Sequence, residues 1–305
     1  MKKLLTLFAV SICFAASAQM FEVVAVKQLQ MGNEREIFHP TFTPDGKSLI
    51  VSDEAYNGLG IITLDNLKYR HLTDMQGAGY KYRFGDNNTI ICRQNNYKKE
   101  TVELFTLDIP TKTTKMIMED LSHFNNISVK DGNATVFANG KKIDKRFSNK
   151  VTTKSTAKDL LITEEDLRMV LYNNGVRTEV DPFPGEPDNQ YVWTSLSPDQ
   201  TKILFSTKNK TYVCNLDGSN VVLVGDFRAP VWMGNDFVVG MQNADDGYVF
   251  TSSDIVVADV NGKRFQQLTS PSDEIKMFPS VSPDGKQVAY HTLNGKIYIM
   301  TLKQK

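Results

Sequence analysis

The stretch Ser282-Pro283-Asp284-Gly285-Lys286 decides the fold of this chain, because it recurs along the sequence with an apolar segment after each clear copy. The other clear copies are Thr43-Pro44-Asp45-Gly46-Lys47 and Ser197-Pro198-Asp199-Gln200-Thr201. Proline presets φ for the second position of a type I turn, Asp suits the third, and Gly takes the left-handed position of a three-residue hairpin. Each copy therefore predicts a β-hairpin. Gln200 fits the left-handed position poorly, so we expect that turn to relax.

Three weaker copies complete a repeat. They are Phe84-Gly85-Asp86-Asn87, Val129-Lys130-Asp131-Gly132 and Met233-Gly234-Asn235-Asp236. The gaps between successive turns are 41, 45, 68, 36 and 49 residues, and apart from the long gap they are typical of a repeat architecture. Several of the segments between the turns are apolar on both faces. This pattern is typical of strands covered on both sides, as in blades that stack face against face.

The repeat resembles that of the TolB-type (WD40-like) β-propellers. The resemblance covers roughly residues 22 to 303, and its second element and closing strand are matched by Thr63-Leu64-Asp65, Asn215-Leu216-Asp217-Gly218, Arg70-His71-Leu72-Thr73 and Gln266-Gln267-Leu268-Thr269. It implies an all-β propeller, in a family whose members include periplasmic proteins that act with partners of the cell envelope. The family's TolB proteins carry a separate domain before the propeller, whereas here we expect the repeats to begin about twenty residues after the predicted cleavage site.

The two ends of the chain suggest how the ring closes. The last repeat lacks a fourth strand, and the segment from Glu22 to Leu29 reads as a strand without a repeat of its own. We expect this segment to complete the last blade, with Val24 and Val26 buried, because closure removes open sheet edges. Six turns predict six blades. The alternative is a seventh blade in the 68-residue gap, where residues 160–162 and 167–172 are strand-like.

The N-terminus has the pattern of an export signal. A basic Met1-Lys2-Lys3 precedes the apolar residues 4–16, and Ala16-Ser17-Ala18 fits a signal-peptidase site. The sequence thus predicts a signal peptide at 1–18 and a single domain at 19–305, exported to the periplasm or secreted. It predicts no membrane span after cleavage.

The long gap has an uneven charge layout. Its first part, 140–158, carries seven basic residues and one acid, and its second part, 159–188, carries eight acids and two Arg. We interpret 140–188 as an insertion in the propeller domain. It is either a solvated loop in which the opposite charges of the two halves neutralise each other, or a loop that extends from the ring and docks a partner. Long loops on rigid scaffolds often carry function.

Composition and motifs argue against several classes of function. Lys+Arg and Asp+Glu are both 35, so the net charge is zero and a nucleic-acid binder is not expected. The sequence lacks G-x-S-x-G, H-E-x-x-H, C-x-x-C and a phosphate-binding glycine loop. We therefore predict no catalytic residue, metal site or cofactor. Cys92 and Cys214 lie in apolar segments and are expected to be free core thiols.

One set of residues predicts a binding site. It consists of the residues six positions before each turn Asp, or its equivalent, and these are His39, Tyr80, Asn125, Trp193, Ala229 and Phe278. In a propeller this is where the innermost strand begins, near one mouth of the central channel. Four of the six are aromatic or His, which suits stacking on a peptide or a sugar. The alternative is that these side chains only pad the strand entrances and plug the channel.

The sequence favours a monomeric, non-catalytic binding or scaffold propeller. Its expected partner is an envelope or periplasmic protein, or an extracellular peptide or glycan. One alternative is a propeller enzyme, a polysaccharide lyase or glycosidase with its site at the channel mouth. Another is a structural subunit that binds through the sides of its blades.

Overall fold

A computed structural model describes residues 19–30, 36–148, 160–186, 188–270 and 272–305. All the regular secondary structure in these ranges is β-strand. None of the described residues form a helix long and apolar enough to span a membrane. The predicted signal peptide at 1–18 lies outside the described residues.

The strands follow one another in seven antiparallel sheets within the described part of the chain. The chain begins with β1 (Phe21–Gln28). Blade 1 contains β2 (Phe38–Phe42), β3 (Ser48–Ser52), β4 (Leu59–Thr63) and β5 (Lys68–Thr73), and blade 2 contains β6 (Arg83–Asp86), β7 (Thr89–Asn96), β8 (Thr101–Asp108) and β9 (Thr114–Leu121). Blade 3 contains β10 (Ile127–Lys130), β11 (Asn133–Ala138) and β12 (Lys141–Arg146), and blade 4 contains β13 (Leu160–Glu165), β14 (Arg168–Asn173) and β15 (Val176–Glu179). Blade 5 contains β16 (Val192–Leu196), β17 (Lys202–Thr207), β18 (Lys210–Asn215) and β19 (Val222–Gly225), and blade 6 contains β20 (Arg228–Met233), β21 (Phe237–Asp245), β22 (Phe250–Asp259) and β23 (Phe265–Gln267). Blade 7 contains β24 (Lys276–Val281), β25 (Gln287–Thr292) and β26 (Ile297–Gln304), and β1 completes it.

The fold is thus a seven-bladed propeller. The preferred count of six was wrong, and the seventh blade is β13–β15, at the strand-like segments of the long gap. The interpretation of 140–188 as an insertion is corrected in the same way, because this range contains β12 and a whole blade of the ring. Blade 4 escaped a count of turns because its described hairpins turn at Asp166-Leu167 and Asn174-Gly175, without the Pro-Asp-Gly pattern.

All six predicted turns join the two inner strands of a blade. In blade 7, Asp284 Oδ1 accepts hydrogen bonds from Ser282 Oγ at 2.6 Å and from the Lys286 backbone N–H at 3.1 Å. This carboxylate therefore fixes the turn from inside, and these bonds lower its pKa. The left-handed position is occupied by Gly285 at φ 70° and, in blade 5, by Gln200 at φ 56°. The expectation that the Gln200 turn relaxes was wrong.

Replacing Gln200 with Gly should stabilise the protein by about 1 kcal/mol, because a side chain in the left-handed region costs about 1–2 kcal/mol and glycine does not bear this cost. Urea unfolding of wild type and Gln200→Gly checks the change. Gly285→Ala is the matched control and should destabilise by a similar amount, since a Cβ there meets only Met233 Cγ at 3.8 Å and steric overlap is absent. A Gln200→Gly variant no more stable than wild type would contradict this account of the turn.

The N-terminal strand closes the ring as predicted. β1 pairs with β26 over a register from Phe21↔Gln304 to Gln28↔Tyr298. The side chains that it buries differ from the expected pair, because Val24 and Val26 are 58% and 50% exposed while Phe21 is 3% exposed. Phe21 packs edge-on against Phe237 of blade 6 at 4.9 Å between ring centroids. The strand therefore joins blade 7 to its neighbour through its first residues.

Buried side chains pack between neighbouring blades and form the core. Cys92 and Cys214 are part of two such clusters and are free, as predicted. Burial raises the pKa of each thiol to about 12, so both are unreactive core residues.

Candidate functional site

The innermost strands begin with an unusual backbone conformation in five blades. Five non-glycine residues have a positive φ angle at this position. They are His39 (55°), Lys81 (48°), Trp193 (54°), Ala229 (47°) and Phe278 (46°). In four of these blades the residue lies in a register shift of the inner strand pair, that is, a β-bulge. Bulges re-aim side chains, and backbone strain of this kind clusters at binding sites.

All five of these residues line the central channel. The outer part of the channel, here called the mouth cavity, has a volume of about 520 Å³ and is lined by Trp193, Ala229, Phe278 and Lys81 among others. The part toward the repeated turns, here called the inner chamber, has a volume of about 480 Å³ and is lined by His39, Lys81 and Phe278 among others, and by Pro44 at the turn end. Shared lining residues connect the two parts into one channel.

The structure brings the predicted site residues together in this channel. Tyr80, Asn125, Trp193 and Phe278 line the mouth cavity together with Ala229, and His39 lines the inner chamber. In blade 2 the rule of six positions before the turn Asp was wrong by one residue. Lys81, and not Tyr80, occupies the left-handed position there. The cause is a tighter turn, since Asp86 pairs with Thr89 across a two-residue loop.

Aromatic rings form a continuous contact chain along one side of the channel. Tyr80 meets Tyr56 at 5.5 Å, and Tyr56 stacks on His39 at 3.7 Å. His39 then meets Phe278 edge-on at 5.2 Å, and Phe278 stacks on His291 at 5.5 Å. Such rings offer large contact area with few rotatable bonds to freeze.

Tyr56 was not among the predicted site residues, because it lies in the hairpin between β3 and β4, far from the repeated turn. Asp53 shapes this hairpin by accepting a hydrogen bond from the Asn57 backbone N–H at 2.6 Å. Antiparallel order returns the hairpin between the second and third strands to the end where the first strand begins. That rule is the signal that could have pointed to Tyr56.

A buried carboxylate connects four blades at the mouth. Glu164 of blade 4 accepts hydrogen bonds from the Thr194 backbone N–H at 2.9 Å and from Lys81 Nζ at 3.2 Å. Its backbone oxygen accepts a third from Asn125 Nδ2 at 2.7 Å. Glu164 thereby fixes the relative positions of blades 2, 3, 4 and 5. Sequence reasoning missed Glu164 as a site residue and gave the blade that carries it only as an alternative.

Arg93 supports the mouth from below. Its guanidinium is buried and donates to the backbone oxygens of Phe124 at 2.9 Å and Asn125 at 3.0 Å. It also lies over the Tyr80 ring at 4.9 Å. Burial lowers the pKa of Arg93 to about 10, so it remains charged at neutral pH. Arg93 therefore positions Asn125 and Tyr80.

The two histidines of the aromatic contact chain have lowered pKa values, which favours their neutral form. Burial lowers the pKa of His39, whose Nε2–H donates to the Glu54 backbone oxygen at 3.1 Å, and it lowers that of His291 to about 4. Among the described residues that line the two cavities, Glu164 is the one acid. A glycosidase uses two carboxyl groups about 5–9.5 Å apart. In the described ranges no group of three or more His, Cys, Asp or Glu is arranged to hold a metal ion.

Exposed apolar side chains surround the mouth. Tyr97 is 70% and Tyr248 is 96% exposed, and each lies in a hairpin between the second and third strands of its blade. The other exposed apolar residues at this end are Leu167, Val192, Val249 and Leu293. Those elsewhere in the described chain lie on outer strands, away from the channel entrance. We call the end around the channel entrance the mouth face.

The similarity of this chain to solved structures lies in its fold. No family model and no curated protein matches the chain. The structure is similar to TolB from Acinetobacter baumannii at 15% identity with a TM-score of 0.51, over 80% of this chain and 56% of that one. It also matches an oligogalacturonate lyase from Vibrio parahaemolyticus at 14% identity with a TM-score of 0.43, over 90% and 79% of the two chains. The expected TolB-like propeller fold is confirmed, and the chain spans little more than half of the TolB chain.

Proposed function

We propose that this protein is a non-catalytic binding propeller that takes a segment of a partner protein into the mouth cavity. The observation that carries the proposal is the mouth face, where exposed apolar side chains surround a cavity lined by aromatic rings. Exposed apolar side chains beside an aromatic cavity are a feature of many protein-binding surfaces.

The size and rigidity of the site suit this role. A cavity of about 520 Å³ is within the range of ligand sites and accommodates a few side chains of a docked segment. The hydrogen bonds of Glu164 and Arg93 hold the lining in place before the partner arrives. Such preorganisation lowers the entropic cost of binding. Tyr97 and Tyr248 would contact the body of the partner outside the cavity.

The proposed location is the periplasm or the exterior of the cell. The support is the signal-peptide pattern at 1–18, together with the fold shared with TolB. The partner is accordingly sought among envelope proteins.

Replacing Trp193 with Ala should weaken partner binding by about 2 kcal/mol or more, roughly thirty-fold, because truncating a central aromatic anchor has a cost of this size. The partner is isolated by pull-down from cross-linked envelope, and its affinity is compared between wild type and the folded variant. Leu223→Ala, at an exposed site on the outer strand β19, is the matched control and should bind as wild type.

Two results would contradict the proposal. If Trp193→Ala binds normally and charge reversal at Lys141, Lys142 and Lys145 abolishes binding, the partner docks on β12. If neither set matters, the sides of the blades become the binding surface.

The enzyme alternative has one supporting observation, the buried Lys81–Glu164 ion pair beside the aromatic rings. A lyase or glycosidase would release unsaturated or reducing ends from an acidic polysaccharide. Release by the wild type that Glu164→Gln abolishes would favour this alternative over the binding role.

A further inference from the structure

The inner chamber has an excess of positive charge. Lys81 and Arg83 both line it, and Arg93 lies behind Tyr80 close by. Glu164 is the ion-pair partner of Lys81. None of the described residues that line the chamber is Asp or Glu, and in the described ranges no ion pair to Arg83 forms.

The Arg83 guanidinium is available for a ligand. Arg83 is the first residue of β6, and its Nη1 donates to the Tyr82 backbone oxygen at 3.0 Å. The side chain is exposed in the channel and so is accessible to a ligand, and the protein packed around it lowers its pKa. A charge in a concave, protein-walled site attracts an anion more strongly than the same charge on an open surface.

Aromatic side chains form part of the chamber wall. Tyr82, Trp232 and Phe278 line it together with the two cations. The chamber therefore combines a guanidinium and an ammonium with aromatic walls.

We propose that the inner chamber binds a carboxylate carried by the segment that occupies the mouth cavity, with Arg83 as its ion-pair partner. A planar guanidinium holds a carboxylate through two parallel N–H···O bonds. This inference rests on the proposed function, because the carboxylate belongs to an Asp, a Glu or the C-terminus of the docked peptide. It adds an acidic residue to the description of the partner.

Intrinsic tryptophan fluorescence can measure ligand binding in this test. The chain's two tryptophans are Trp193 at the mouth cavity and Trp232 at the inner chamber, so intrinsic fluorescence reports on the channel. The probes are two capped dipeptide amides, one acetyl-Phe-Glu and one acetyl-Phe-Gln, which differ in a single carboxylate. Galacturonate is the third probe and represents a sugar acid.

Wild type should bind the Glu probe about ten-fold or more tightly than the Gln probe, as expected for a charge-assisted pair. Arg83→Gln should remove this preference, and Arg83→Lys should keep part of it, because the charge remains and the fork is lost. Lys115→Gln removes the same charge from an exposed site on the outer strand β9 and should keep the full preference.

Each contrary result points to a different failure. An unchanged preference in Arg83→Gln overturns the carboxylate site and leaves the mouth cavity as a binding site. Unchanged binding of both peptides in Trp193→Ala, read from Trp232, refutes the proposed function. Arg83-dependent binding of galacturonate without a preference for the Glu probe makes the ligand a sugar acid and overturns the peptide assignment. No fluorescence change with any probe also overturns the inference.

Discussion

Phe21→Ala should lower the free energy of unfolding by about 3–5 kcal/mol, the usual cost of truncating a buried phenylalanine. Phe21 is 3% exposed and lies in the largest buried cluster of the described chain, against Phe237 of blade 6. Its backbone N–H and that of Met20 are both bonded to the Gln266 side chain, at 2.9 Å and 2.8 Å. The substitution therefore weakens the junction between the first and last parts of the chain. Urea unfolding measures the effect.

Val24→Ala is the matched control, because Val24 lies on the same strand and is 58% exposed. Its effect should be within about 0.5 kcal/mol, as for most surface substitutions. If Phe21→Ala is as mild as Val24→Ala, the N-terminal strand does not hold the ring closed.

The stability of the protein should fall as the pH is lowered from about 6.5 to 4, and His291 should account for about 2–3 kcal/mol of this loss. Burial lowers the pKa of His291 to about 4 in the folded state, with nearby His39 acting in the same direction, against 6.5 in the unfolded chain. Below pH 6.5 the unfolded chain therefore takes up a proton that the folded chain does not. Folding loses free energy until the pH reaches the lower value and levels off beneath it.

His291→Phe should remove this part of the pH dependence. A phenyl ring keeps the contacts with Phe278 and Phe38, and the change loses one hydrogen bond, from His291 Nδ1 to the Thr292 backbone oxygen at 3.0 Å. The measurement is the difference in unfolding free energy between pH 7 and pH 4.5 for both proteins. An equal difference in the two would assign the acid sensitivity to other groups.

Local turn chemistry made most of the fold predictable. A turn such as 282–286 fixes its own backbone through Pro, Asp and Gly, so its meaning does not depend on the rest of the chain. The N-terminal strand was predictable because the last repeat lacked a strand. Blade 4 was predictable only as an alternative, from strand-like segments within the 68-residue gap, because its described hairpins use turns of another kind.

The candidate site was predictable only in part. Strand starts identify the residues that face the channel, and this rule found Trp193 and Phe278. It found Tyr80 in place of Lys81, because one residue fewer in a turn shifts the alignment by one. Glu164 depends on contacts among four blades, and such contacts are not encoded by any local pattern.

The central claim is that the partner docks on the mouth face, and site-specific photo-crosslinking in intact cells tests it most directly. A photoreactive residue is placed at Tyr248 on the mouth face, at Val176 on the outer strand β15, or at Lys286 in a turn of the opposite end. The first two sites are both well exposed, at 96% and 67%, so accessibility does not decide the result. The account predicts a discrete adduct from position 248, reduced by Trp193→Ala, and none from 176 or 286. An adduct from 176 or 286 without one from 248 would contradict it.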